Sequence, residues 1–132
     1  MEGSLKELAF YRLERSYEML VASEDNLRYN QFRTSLNRSY YAVFHAMRSA
    51  NILKGYDSSK HSGVIAFFNK TYVKENLMER GLSKIIKDSS YLREKSDYDD
   101  FFIASKEEAE RQLLSAKYFV SVVDQFIKHE IS

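Results

Sequence analysis

The 132-residue chain contains no cysteine, no proline and only four glycines. Without cysteine neither a disulfide framework nor a thiolate metal site can form, and the composition is compatible with a reducing cytosol. Without proline nothing forces a break inside a helix. No apolar run approaches the roughly 18–20 residues that a membrane span needs. The N-terminal stretch from Met1 to Glu7 lacks the apolar core of a signal peptide. The expectation is a soluble, unexported, cytoplasmic protein with no membrane association. Charge of one sign is also missing. The formal net charge is +1, so no global field draws the chain onto nucleic acid, and any such contact has to come from a local patch.

What is present is aromatic. Ten tyrosines and nine phenylalanines, within an apolar fraction of 44%, supply enough burial for one domain spanning residues 1–132. Neither internal repeats nor linkers divide it. The apolar spacing is that of helices throughout, with no convincing alternation of period two. A first helix is expected over about Leu5–Glu24, with Leu5, Ala9, Leu13, Tyr17 and Leu20 on one face. A second is expected over about Gln31–Leu53, closed by Gly55 as a C-cap. Asp57, Ser58 and Ser59 offer N-caps to a third over about Lys60–Glu75. A fourth spans about Met78–Lys95 and is followed by a break at 96–100. In the fifth, about Lys106–His129, Ser105 and Glu108 form a capping-box pattern. The fold class is therefore all-α, an antiparallel bundle of four to five helices with short connections.

The second helix carries the chemistry. At about 100° per residue, Leu36, Tyr40, Val43 and Met47 face a core. Thr34, Arg38, Tyr41, His45 and Arg48 gather on the opposite side. Ala42, Ala46 and Ser49 lie between and permit close approach of another helix. Arg38 and His45 are almost two turns apart, about 10 Å along the axis. Guanidinium groups bind phosphate bidentately, imidazole exchanges protons near neutral pH, and tyrosine stacks on bases or donates a hydrogen bond. Arg38, Tyr41, His45 and Arg48 together make a candidate phosphate site. A polar stripe opposite a core face is also what any surface helix shows.

The string from Asn37 through Arg38, Tyr40, Tyr41 and His45 to Ala46 resembles the signature helix of HEPN domains, in particular the small stand-alone prokaryotic group. Lys60 to Ile65, Arg93 with Asp97 to Asp100, Ser105 to Ala109 and Ala116 to Val120 resemble later segments of that group in the same order, so the likeness covers about residues 5–128. It implies a bundle that forms a homodimer through the second helix. It also implies a metal-independent RNA-cleaving site at that interface, with Arg38 and His45 catalytic, and a minimal nucleotidyltransferase as antitoxin partner. Two copies crossing at Ala42 and Ala46 would bring both Arg–His pairs to one groove. RNA or a nucleotide is the implied ligand; no cofactor is expected. Ser39 stands where active members often carry Asn, Asp or His. Met47 stands where one toxin subgroup carries a tyrosine that accepts adenylylation, so that modification is not carried over. The alternative within the family is a non-catalytic module that binds a nucleotide or a nucleotidyltransferase.

Of the other candidates, Tyr98 is expected either to project toward the Arg38/His45 groove or to pack with a tethered hydroxyl. His61 is expected to pack or cap at the start of the third helix rather than to bind phosphate. Asp97, Asp99 and Asp100 lack the glycine and terminal glutamate of a calcium loop and suit a turn that pairs with Arg93. Three scattered histidines and no cysteine argue against a structural metal.

Overall fold

A computed structural model describes residues 3–131. Five helices follow one another: α1 (Gly3–Arg28), α2 (Phe32–Ile52), α3 (His61–Phe68), α4 (Gly81–Tyr98) and α5 (Lys106–Ile131). A π-helical turn, Asn69–Val73, extends α3, and no strand occurs among the described residues. Helix α2 is the axis of the bundle, since α1, α3, α4 and α5 all pack against it. The expected all-α architecture is the one observed.

The seam between α1 and α2 is made of small residues. Ser35, Ser39, Ala42, Ala46 and Ser49 repeat along α2 in steps of four and three, and all are buried. Facing them on α1 are Ala9, Leu13, Ser16, Leu20 and Ser23, also buried. The Ser23 hydroxyl lies 2.9 Å from the Ser35 carbonyl and 2.8 Å from the Ser39 hydroxyl, and Ser35 Oγ donates to the Ser23 carbonyl at 3.0 Å. At the far end Ser49 Oγ donates to the Ala9 carbonyl at 2.6 Å. This pairing runs antiparallel and brings the backbones close together. The face of α1 therefore differs from the expected one. Ser16 and Ser23 join its inner stripe, whereas Tyr17 turns partly outward and donates to Asp124 on α5.

On the other side of α2, the expected core residues Leu36, Tyr40, Val43 and Met47 are all buried, together with Phe68, Leu82 and Ile86. From α5, Ala109, Leu113, Ala116, Val120, Val123 and Ile127 enter the core with Phe119, as the four-and-three spacing predicts. Tyr72, in the π turn, anchors to the Ala50 carbonyl through its hydroxyl.

The helix ends follow the local rules in two cases and break them in two. The Glu108 amide donates to Ser105 Oγ at 3.0 Å, and the Glu108 carboxylate accepts from the Ser105 amide at 3.2 Å, so the capping box forms. Gly55 takes φ +78°, and the Gly55 and Tyr56 amides close α2 on the carbonyls of Ile52 and Asn51. By contrast, Asp57 and the serines do not cap α3. Its N-cap position is Lys60, without a side-chain cap; Asp57 is held by two arginines, and Ser58 Oγ accepts from the Lys60 amide at 3.1 Å just before the helix. Likewise α4 runs through residues 96–98 where a break was expected. Its last turn is stabilised by ion pairs of i,i+4 spacing, Arg93 with Asp97 and Lys95 with Asp99.

Because Ala46 is enclosed within one chain, Ala46→Leu should wedge α1 from α2 and cost about 1–3 kcal/mol of folding stability. Urea denaturation at several protein concentrations checks this. The loss should be the same at each concentration, whereas a loss confined to high concentration would place Ala46 between copies.

Candidate functional site

Helix α2 presents Thr34, Arg38, Tyr41, His45 and Arg48 on one half-exposed face, as the helical wheel indicates. They stay outside the core because the serine–alanine stripe and the Leu36–Met47 stripe occupy the two faces that pack. Ser39, next to Arg38, belongs to the first stripe and is bonded to Ser23, so it does not face the site. Met47 is fully buried.

His45 is the centre of an arginine cluster. Its imidazole is about half-buried, between the rings of Tyr41 (6.2 Å between centroids) and Phe44 (5.9 Å). Burial first, and then the positive charges of Arg15, Arg48 and Arg12, push its pKa down to about 4. At neutral pH it is a neutral imidazole with a free lone pair. Arg12 and Arg15 come from α1, because the antiparallel register sets their turn beside the last turns of α2. Asp57, on the connection between α2 and α3, holds both Arg12 (3.0 Å) and Arg48 (2.8 Å). The Arg12 hydrogen bond is the main reason its carboxyl is held down to about 2.

A second polar cluster lies on the other side of Tyr41. His61 stacks on Phe44 at 4.2 Å and meets the edge of Tyr41 at 5.7 Å. Its Nδ1 lies 2.7 Å from the Tyr40 hydroxyl and 3.4 Å from Arg93 Nη2. Guanidinium can only donate, so Nδ1 is the acceptor, Tyr40 donates, and the ring proton sits on Nε2. Burial, followed by the charge of Arg93, lowers the His61 pKa, while burial pushes the Tyr40 phenol up to about 12 against the pull of Arg93. Arg93 also lies over the Tyr40 ring at 4.8 Å and pairs with Asp97 at 3.7 Å. Asp97 accepts from Asn37 at 3.1 Å, and Asn37 accepts from Arg38. His61 thus packs, one of its two expected roles, and does not cap. Arg93 and Asp97 pair as expected, within a helix rather than in a loop.

Arg38 and His45 share a face but do not touch. Among the described residues the side-chain hydrogen bond of Arg38 goes to Asn37. Tyr98 does not join them: it is 77% exposed on the last turn of α4 and lines a surface hollow with Tyr91, Glu94, Lys95 and Asp99. Arg12, Arg15 and Asp57 were not legible as site residues. They lie 30 or more positions before, or 12 after, His45, and only the α1–α2 register and the turn after Gly55 bring them in.

An all-α bundle whose central helix carries a basic, histidine-bearing face defines the class. The HEPN domain profile matches residues 9–126, and the chain belongs to the HEPN family. Among its relatives is a Methanocaldococcus jannaschii protein named "Putative toxin MJ0605", 32% identical over 88% of this chain and 86% of the relative. A UPF0332 protein of Thermotoga maritima is 28% identical over 89% of each chain. The crystal structure of TT1696 from Thermus thermophilus superposes with a TM-score of 0.76 over 89% of this chain and 97% of that one, at 17% identity, and so shares the fold. No helix among the described residues is long and apolar enough to cross a membrane.

The depressed pKa of His45 has a defined sign. Stability from keeping it neutral is fully present above pH 6.5 and is withdrawn as pH falls from 6.5 to about 4, because the unfolded chain binds a proton that the folded chain refuses. Wild type should therefore lose more stability than His45→Asn across that window in paired urea titrations. Parallel curves would contradict the assignment.

Proposed function

We propose that this HEPN-family protein is a homodimeric endoribonuclease that needs no metal, cuts RNA at the face bearing Arg38 and His45, and acts as the toxin of a pair whose antitoxin is a minimal nucleotidyltransferase. The carrying observation is the neutral, half-buried imidazole of His45 set among guanidinium groups. RNA cleavage without metal requires a base to take the 2′-hydroxyl proton, a cation for the charge that grows on the phosphorane, and an acid for the departing 5′-oxygen. For the first need His45, neutral at pH 7, has the lone pair to take that proton, and phosphate bound among the arginines would raise its basicity toward the range a general base requires. Arg38 and Arg48 meet the second, and Tyr41, half-exposed between two histidines, offers a stacking surface for a base.

One imidazole cannot be base and acid in the same instant. A second copy supplies the acid, and a phosphate dianion or diester among the arginines would raise the pKa of the imidazole that protonates the leaving oxygen. The dimer would use the exposed stripe of α2, since Ala42 and Ala46 are already covered by α1. The toxin part of the proposal rests on the names of the M. jannaschii relatives. A non-catalytic module that binds a nucleotide or a nucleotidyltransferase is the second reading, and it is favoured by Arg38 turning to Asn37 instead of His45.

Purified protein in EDTA should cut RNA, and His45→Ala and Arg38→Ala should each lose about 10²–10⁴-fold in rate while remaining folded. If wild type does not cut, yet binds nucleotide or nucleotidyltransferase through these same residues, the second reading holds instead.

A further inference from the structure

Arg12 is a nearly buried cation on a helix surface, 8% exposed, and its only ionic partner among the described residues is Asp57. Arg48 shares that carboxylate: Arg12 Nη2 bonds one oxygen at 3.0 Å and Arg48 Nη2 the other at 2.8 Å. Each guanidinium keeps one buried nitrogen without an acceptor, Nη1 of Arg12 and Nε of Arg48. Two cations thus face one anion, with donors to spare. Tethering the connection between α2 and α3 would need only one arginine, and leaving buried donors unmet is costly. Asp57 itself is about half-exposed, so solvent reaches the carboxylate from outside. Gly55, two residues earlier, has open space around it.

We propose that Arg12 and Arg48 form a phosphate seat beside His45, and that Asp57 occupies this seat in the unliganded chain as an internal substitute for the phosphate. The carboxylate offers two oxygens, one to each guanidinium. A phosphate group likewise offers two non-bridging oxygens, and a terminal or inorganic phosphate adds a third oxygen and more charge than the carboxylate, so that the two unmet donors can also be answered. Binding therefore swaps Asp57 for the incoming anion, and the connection carrying Asp57 swings outward. The ligand class is a phosphate group, either the diester of an RNA backbone or the terminal group of a nucleotide. The proposal deepens the RNA reading above by adding α1 to the site, and it stands apart from whether cleavage follows.

The test uses Asp57→Asn, Arg12→Gln and wild type at fixed ionic strength, with inorganic phosphate, a nucleoside monophosphate and a short single-stranded RNA as probes. Removing the competing carboxylate should tighten phosphate binding about tenfold, the worth of one charge-assisted hydrogen bond. Arg12→Gln should weaken it by a similar factor. A plain structural ion pair makes the opposite forecast for Asp57→Asn, namely lower stability with no gain in binding. Tightening with all three probes marks a general phosphate seat, and tightening with the oligonucleotide alone marks a backbone subsite. If Asp57→Asn does not fold, wild-type NMR decides: phosphate must shift the Arg12 and Arg48 Nε–H signals and the Asp57 carboxyl carbon. Unchanged affinity in a folded Asp57→Asn, or unmoved signals at saturating phosphate, overturns the proposal. Protein that binds phosphate here yet cuts no RNA keeps this seat and loses the nuclease reading. Protein that cuts RNA with no response to Asp57→Asn does the reverse.

Discussion

The close approach of α1 and α2 is the constraint on which the rest of the molecule depends. Hydroxyls of Ser23, Ser35 and Ser49 reach backbone carbonyls of the opposite helix, which is possible only where no larger side chain intervenes. That seam fixes the rotation of α2 about its own axis. Once Ser39, Ala42 and Ala46 point at α1 and Tyr40, Val43 and Met47 point at α4 and α5, the remaining face has to carry Arg38, Tyr41, His45 and Arg48. The same seam sets the register that puts Arg12 and Arg15 beside His45. Packing and site are therefore one arrangement, and the hydroxyls inside the seam satisfy one another and the carbonyls they meet.

Much of this was legible from spacing. The inner stripe of α5, the capping box at Ser105 and Glu108, the left-handed turn at Gly55 and the division of α2 into core and polar faces all follow from local rules. The errors share a cause. Asp57 has the chemistry of an N-cap, but a bond to two guanidiniums outweighs one to a backbone amide. Residues 96–98 read as a break because Ser and Asp disfavour helix interiors, but ion pairs from Arg93 and Lys95 one turn earlier hold the helix together. Ser16 and Ser23 are polar by type and core by position, which a hydrophobic pattern does not register.

The candidate site was half legible. Four of its residues sit on one helix, and their shared face follows from their spacing. The others are distant in the chain and have no local signature, so only tertiary structure gathers them. His61 is an intermediate case: its place at a helix start was visible, while its bond to Tyr40, beneath Arg93, depends on where α4 crosses α2.

Burial first, and then the charges of arginines, depress the pKa values of the two histidines flanking Tyr41. Guanidinium does not titrate in the range where cells live. The fixed part of the pull of this face on an anion therefore comes from groups that keep their charge across that range. An anion would be drawn by the arginines whatever the state of the imidazoles, and protonation of either ring would add to that pull rather than loosen it.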